Sequence, residues 1–145
     1  SIEIGKIKNL VNMLDLNKAV ILHGKKTKKE IHKALIASTI LVHCRPLSRQ
    51  ATGGFSTKLT EYISTGKPVI STITSDIGRY FINNENIFLV PPSDVEMFAE
   101  SMTLAVDNLY HAHKLGLNGH SLVDKYFNAK TNILFLQKWI QEINK

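Results

Sequence analysis

The segment GGFSTKLTE (53–61) brings two glycines, three hydroxyls, a lysine and a glutamate close together in the chain. Glycines let a backbone approach a ligand closely, and free N–H groups at a helix start favour an anion such as a diphosphate. Lys58 adds a full positive charge beside those donors, while Ser56 or Thr57 either caps the helix or hydrogen-bonds the anion. Glu61 follows Lys58 by one helical turn, so both can share a face. A carboxylate there suits a sugar diol, because each oxygen can accept a hydrogen bond from a vicinal hydroxyl. The plainer alternative is a surface Lys–Glu pair on a capped helix. Arg45 and Arg49 flank the same stretch and are candidate phosphate ligands.

Other chemistries find less support. His23 and His43 end two predicted strands without a Cys or acidic partner at a useful spacing, and His111 and His113 cannot share one helix face. No metal site is therefore expected, and the six histidines are assigned structural or solvent-facing roles. Cys44 reads as a small buried hydrophobe at a strand end. Glu61 and Asp76 are the only carboxylates near the expected ligand edge, too few for a hydrolase that needs two facing acids. Lys25, Lys26, Lys28, Lys29 and Lys33 form the densest charge run, read as a solvated helix face. Its functional alternatives are attraction of an anionic donor or docking to an anionic membrane surface. Without interleaved aromatics or a known reading motif, nucleic acid is not an expected partner.

The elements that position these residues follow from composition and periodicity. The chain has 145 residues, 18 Lys+Arg against 12 Asp+Glu, 43% hydrophobic residues and one Cys. Such values fit one basic globular domain, with no disulfide framework and a reducing, cytoplasmic setting. No apolar run approaches the ~20 residues that cross a bilayer, and the first residues lack a signal-peptide core. Apolar runs at 19–22, 39–44, 68–73 and 87–90 read as strands. Helical periodicity places helices over 2–14, from Thr27, 55–66, 75–82, from Ser93, 110–126 and 129–144. Thr27–Glu30 and Ser93–Glu96 are capping-box patterns, and 45–54 reads as a loop. The alternation predicts an α/β fold, a parallel sheet with helices on both faces. Ligands of such sheets bind beyond the strands' carboxyl ends, here the loops 23–27, 44–56 and 73–76.

At GGFSTKLTEYISTGKPVI (53–70) the sequence resembles the donor-site signature of glycosyltransferase family 4, the group 1 transferases of the GT-B fold. Gly54, Phe55, Glu61, Gly66, Pro68, Val69 and Ile70 fall in step with that signature. Residues 18–44 and 75–102 are similar to the blocks before and after it. The resemblance implies a Rossmann-like, donor-binding C-terminal domain over residues 1–145, lacking its first strand–helix–strand unit. Two of its usual strands would then be missing between 19–22 and 40–43, leaving direct pairing, a partner chain in a dimer or an altered topology. Residues 129–145 would form a helix that packs on an N-terminal domain. Glu61 is implied to hold the ribose hydroxyls of a nucleotide sugar, and Gly54, Phe55, Ser56, Thr57 and Lys58, with Arg45, its diphosphate. Gly24 and Lys25 match the loop whose backbone meets the base.

The implied activity is retaining, metal-independent transfer from a UDP-sugar or GDP-sugar to a saccharide or lipid-linked acceptor. The acceptor would be reached through the N-terminal domain, with peripheral contact at the inner membrane face. No cofactor is implied, and no catalytic residue is assigned. One departure stands out: Gly53 occupies the place of the family's first glutamate, which touches the donor sugar. Some subgroups have a small residue there and a lysine at the position of Lys58. The alternative to an enzyme is a non-catalytic nucleotide-binding or assembly module that keeps the fold. Alone, the chain is expected to bind its donor weakly and catalyse little.

Overall fold

Three of the four apolar runs pair into a sheet. In the computed structural model, which describes residues 2–143, they form β1 (Leu41–His43), β2 (Val69–Thr72) and β3 (Phe88–Val90). All are parallel and lie in the order β1-β2-β3, with Leu41 opposite Val69 and Ile70 opposite Phe88. The helices are α1 (Ile2–Met13), α2 (Lys28–Ala37), α3 (Arg49–Thr52), α4 (Thr57–Ile63), α5 (Ile77–Tyr80), α6 (Val95–Asp107), α7 (Leu109–Tyr126) and α8 (Ala129–Ile143). The chain divides into two compact units, residues 1–32 and 33–145.

In the larger unit, strand side chains alternate between two cores, as the period of two requires. Leu41, Val69 and Leu89 pack with Leu59 and Ile63 of α4, Ile77 of α5 and Phe81. Ile70, Phe88 and Val90 point the other way, against Ala105 of α6 and Ala112 and Leu115 of α7. Helices thus cover both faces of the parallel sheet, the α/β arrangement expected. An aromatic cluster closes the α4 side: Phe55 and Phe127 lie 4.9 Å apart between ring centroids, and Phe81 stacks on Phe127 at 5.9 Å.

In the smaller unit the capping box forms as expected. The Glu30 N–H donates to Thr27 Oγ1 at 3.3 Å, and the Thr27 N–H donates to Glu30 Oε2 at 2.9 Å. Residues 19–22 correct the sequence reading, because they form no strand and Ile21 is 71% exposed. A strand exists only through a ladder partner, and among the described residues no strand pairs with this run. Among the described residues the sheet has three strands instead of the four read from the sequence, and direct pairing of this run with 40–43, one of the alternatives, is not formed.

Smaller corrections follow, the first two from local capping. The 45–54 loop contains α3, because Ser48 Oγ accepts from the Ala51 N–H at 3.0 Å and Ala51 is buried. Helix α6 is capped by Asp94, which accepts from the Met97 N–H at 2.9 Å, so a single Asp94 cap stands in place of the Ser93–Glu96 box. Its buried stripe is also narrower than its apolar periodicity, since Ala105 alone is buried. The last helix, 129–144 in the sequence reading, is described to Ile143; it buries none of its described side chains, and Ile133, Phe135, Leu136 and Trp139 are exposed.

Two glycines of α7 set how closely it approaches the sheet. A Cβ on Gly116 would stand 2.5 Å from the Gly66 carbonyl oxygen, and one on Gly119 would stand 2.5 Å from that of Asn86. Gly116→Ala or Gly119→Ala is therefore expected to cost about 1–3 kcal/mol through forced backbone displacement. Gly78→Ala, on α5 with open space at its Cβ, should be neutral or gain up to about 1 kcal/mol. Urea denaturation of the three variants checks this ordering.

Candidate functional site

Helix α4 is held by Leu59 and Ile63, both buried against the sheet. At about 100° per residue, that anchoring turns Lys58 and Tyr62 to one flank and Thr57, Thr60, Glu61 and Ser64 to the other. Each flank lines a cleft. The first, about 580 Å³, is bounded by His43, Arg45, Gly54, Ser56, Lys58 and Tyr62 among others. The second, about 600 Å³, includes Thr60, Glu61, Ser64, Asp76 and Tyr80. Phe55 and Thr57 line both.

The sequence-predicted residues thus separate into two groups. Arg45, Gly54, Phe55, Ser56, Thr57 and Lys58 meet at the first cleft, beyond the carboxyl end of β1. Glu61 lies on the second with Asp76, which pairs instead with Arg79 at 3.4 Å. Among the described residues, neither Lys58 nor Glu61 forms an ion pair, so the plain Lys–Glu surface pair is not present. Gly24 and Lys25 belong to the smaller unit, where Gly24 has φ +66° and open space at its Cβ. Arg49 opens α3 and does not line the first cleft.

His43 is the residue whose role the sequence reading missed. It is 7% exposed, with Nδ1 3.1 Å from Ser71 Oγ on β2 and Nε2 2.9 Å from Ser56 Oγ. Ser56 accordingly does not cap α4 with its side chain. The available signal was position: His43 ends a strand whose carboxyl end opens onto the predicted ligand loop. Burial holds the imidazole pKa below its ordinary value, and the positive charges of Arg45 and then Lys58 push in the same direction.

The neighbouring backbone is tied down as well. The Arg45 N–H donates to Thr72 Oγ1 at 2.9 Å, and that hydroxyl donates to the Arg45 carbonyl at 3.0 Å. The Arg45 guanidinium donates to the Gln50 carbonyl at 3.0 Å, which leaves its other N–H donors for a ligand. Cys44 is exposed rather than buried, because it stands just past the last residue of β1 and outside both cores. Among the described residues no cluster of three or more His, Cys, Asp or Glu could hold a metal ion. No helix of the described residues is long and apolar enough to cross a membrane.

The arrangement can bind an anion between Arg45 and Lys58 and a diol at Glu61. The family model described as Glycosyl transferases group 1 matches residues 4–121. Among solved structures, sucrose-phosphate synthase from Thermosynechococcus elongatus is similar with a TM-score of 0.76 and 23% identity, over 99% of this chain and 35% of that one. Anabaena HepE in complex with UDP-glucose is similar with a TM-score of 0.81 and 16% identity, over 96% of this chain and 36% of that one. The C-terminal domain of the group 1 family protein LpcC from Francisella tularensis gives 0.71 and 21%, over 86% and 62%. The chain therefore spans about a third of the length of the first of these structures. No curated protein matches it.

The buried imidazole has a consequence for stability. The unfolded chain takes up a proton on this histidine near the ordinary imidazole value of about 6.5, and the folded chain only at lower pH. Its contribution is complete above about 6.5 and is lost as pH falls towards the folded value. Between pH 7.5 and 5.5, the wild-type Tm should drop further than that of His43→Gln; equal drops would show that His43 is not held neutral.

Proposed function

Because the chain belongs to the group 1 glycosyl transferases, we propose that it is the donor-binding part of a larger, retaining glycosyltransferase. The fold it shares with GT-B glycosyltransferases supports that reading. The enzyme would move a hexosyl group from a nucleoside diphosphate sugar to a saccharide or lipid-linked acceptor. The observation that carries the proposal is the pairing of two clefts across α4, one cationic and one with a free carboxylate. A diphosphate fits between Lys58 and Arg45, with the hydroxyls of Ser56 and Thr57 and the Gly54–Phe55 backbone beside it. The ribose hydroxyls fit Glu61, which has no competing ion pair among the described residues.

In this reading the protein's own charges do the electrostatic work. As the glycosidic bond to the diphosphate lengthens, negative charge grows on the leaving oxygens, where Lys58 and Arg45 are already positioned to stabilise it. No metal or cofactor is needed for that step. HepE, similar in fold, is described in complex with UDP-glucose and with UDP, which supports a nucleotide-sugar ligand of this class. The acceptor would bind to a further domain against which α8 packs, at the inner face of the membrane.

A second reading, a nucleotide-binding or assembly module without catalysis, is favoured by Gly53. Its N–H donates to the carbonyl of Arg49, the first residue of α3, and a Cβ there would stand 3.1 Å from that oxygen. A glutamate at this position, as in the family signature, would press on that carbonyl.

Titration with UDP, GDP and their sugars tests both. One of the nucleotides should bind, and Glu61→Ala should weaken it about tenfold or more, the value of hydrogen bonds to a charged group. Lys58→Ala should weaken binding and reduce its salt dependence. Absence of binding to all four would refute the donor site. Binding without sugar transfer by the whole protein would establish the module instead.

A further inference from the structure

His43 has no assigned task in the donor site proposed above, yet it is its most buried polar group. The direction of its hydrogen bonds follows the imidazole tautomer. With the Ser71 hydroxyl donating to the Thr72 carbonyl at 3.2 Å, Ser71 Oγ accepts toward His43 and Nδ1 carries the imidazole proton. A neutral imidazole has one N–H only, so Nε2 is an acceptor and the Ser56 hydroxyl donates into it at 2.9 Å. In that state the Ser56 proton is turned inward, and its oxygen offers the cleft lone pairs alone. Lone pairs repel a phosphate. When Nε2 is protonated the bond reverses: Nε2–H donates to Ser56 Oγ, and the Ser56 proton is released to an anion in the cleft.

We propose that His43 is a positioning residue for the donor's diphosphate, turning the Ser56 hydroxyl into a donor as the ligand binds and taking up one proton from solvent. The inference rests on the donor-site reading. The proton goes to Nε2 on binding and returns to solvent on release; no covalent bond changes.

The surroundings act in the same sense. The charged groups acting on His43 are Arg45, beyond its own strand, and Lys58, on α4. Cys44 and the Tyr62 phenol are the remaining titratable groups on the cleft, whose lining contains no carboxylate. The Tyr62 ring meets the imidazole edge-on at 6.3 Å, and β2 presents the neutral Ser71. A diphosphate between Arg45 and Lys58 offsets the two charges that oppose protonation, so ligand and proton favour each other.

The probe is a nucleotide sugar, UDP-glucose or GDP-mannose, whose diphosphate has no group titrating near neutrality. Calorimetric titration at pH 7.5 in two buffers of different ionisation enthalpy measures the protons taken up. For the wild-type chain a net uptake of protons is expected, and affinity falls as pH rises. In His43→Gln the amide N–H takes the place of protonated Nε2, so binding should persist with no uptake and a flat pH profile. In Ser56→Ala uptake should fall by at least half, since only the through-space effect of the ligand's charge remains. Thermal melts verify that both variants are folded, and loss of folding in one leaves the other to decide.

The outcomes separate the two proposals. No binding of either nucleotide sugar removes the donor-site reading and this inference with it. Binding without proton uptake, or uptake unchanged in Ser56→Ala, overturns the role of His43 and leaves the donor site intact.

Discussion

The burial of Leu59 and Ile63 against β1 and β2 is the constraint on which the rest of the site depends. Two side chains one turn apart fix a helix in rotation as well as position, because both must face the sheet. Once α4 is so oriented, the residues before and after Leu59 have no freedom of side. Lys58 turns toward the end of β1, where Arg45 and His43 stand, and Glu61 turns toward α5. The separation of a cation and an anion three residues apart is thus a property of the core. Ser56, just before the helix, falls within reach of the His43 ring for the same reason.

Much of this was legible in the amino-acid order. The strands of the sheet and the helices α4 to α8 follow from short apolar runs and from periodicity, and the donor signature falls on the loop and helix where ligands of parallel sheets bind. The division of Lys58 and Glu61 between two clefts was not visible, because spacing alone allows a shared face and only the direction of the core decides. His43 was passed over since an isolated histidine has no informative spacing; its meaning lies in Ser56 and Ser71, which are 13 and 28 positions away. The short helix α3 was hidden by turn-forming residues, with the Ser48 cap and buried Ala51 as its only traces.

Residues 19–22 show the opposite failure, in which a sound local signal does not become structure. Ala19, Val20, Ile21 and Leu22 have the composition of a buried strand. Composition expresses a preference for a pleated, covered environment and cannot create the neighbouring backbone that a ladder needs. The same holds for α8, whose apolar side chains are suited to burial and are exposed along its described length.

The two close contacts of α7 fall on Gly66 and Asn86, in the turns that lead into β2 and β3. They lie at the amino ends of the strands, opposite the edge that carries Arg45, Ser56 and Lys58. One edge of the sheet is consequently clamped backbone to backbone, while the other is held through side chains, such as the Thr72 hydroxyl on the Arg45 backbone. A substitution in the loops of that second edge can therefore reshape the clefts without prising α7 from the amino ends of the strands.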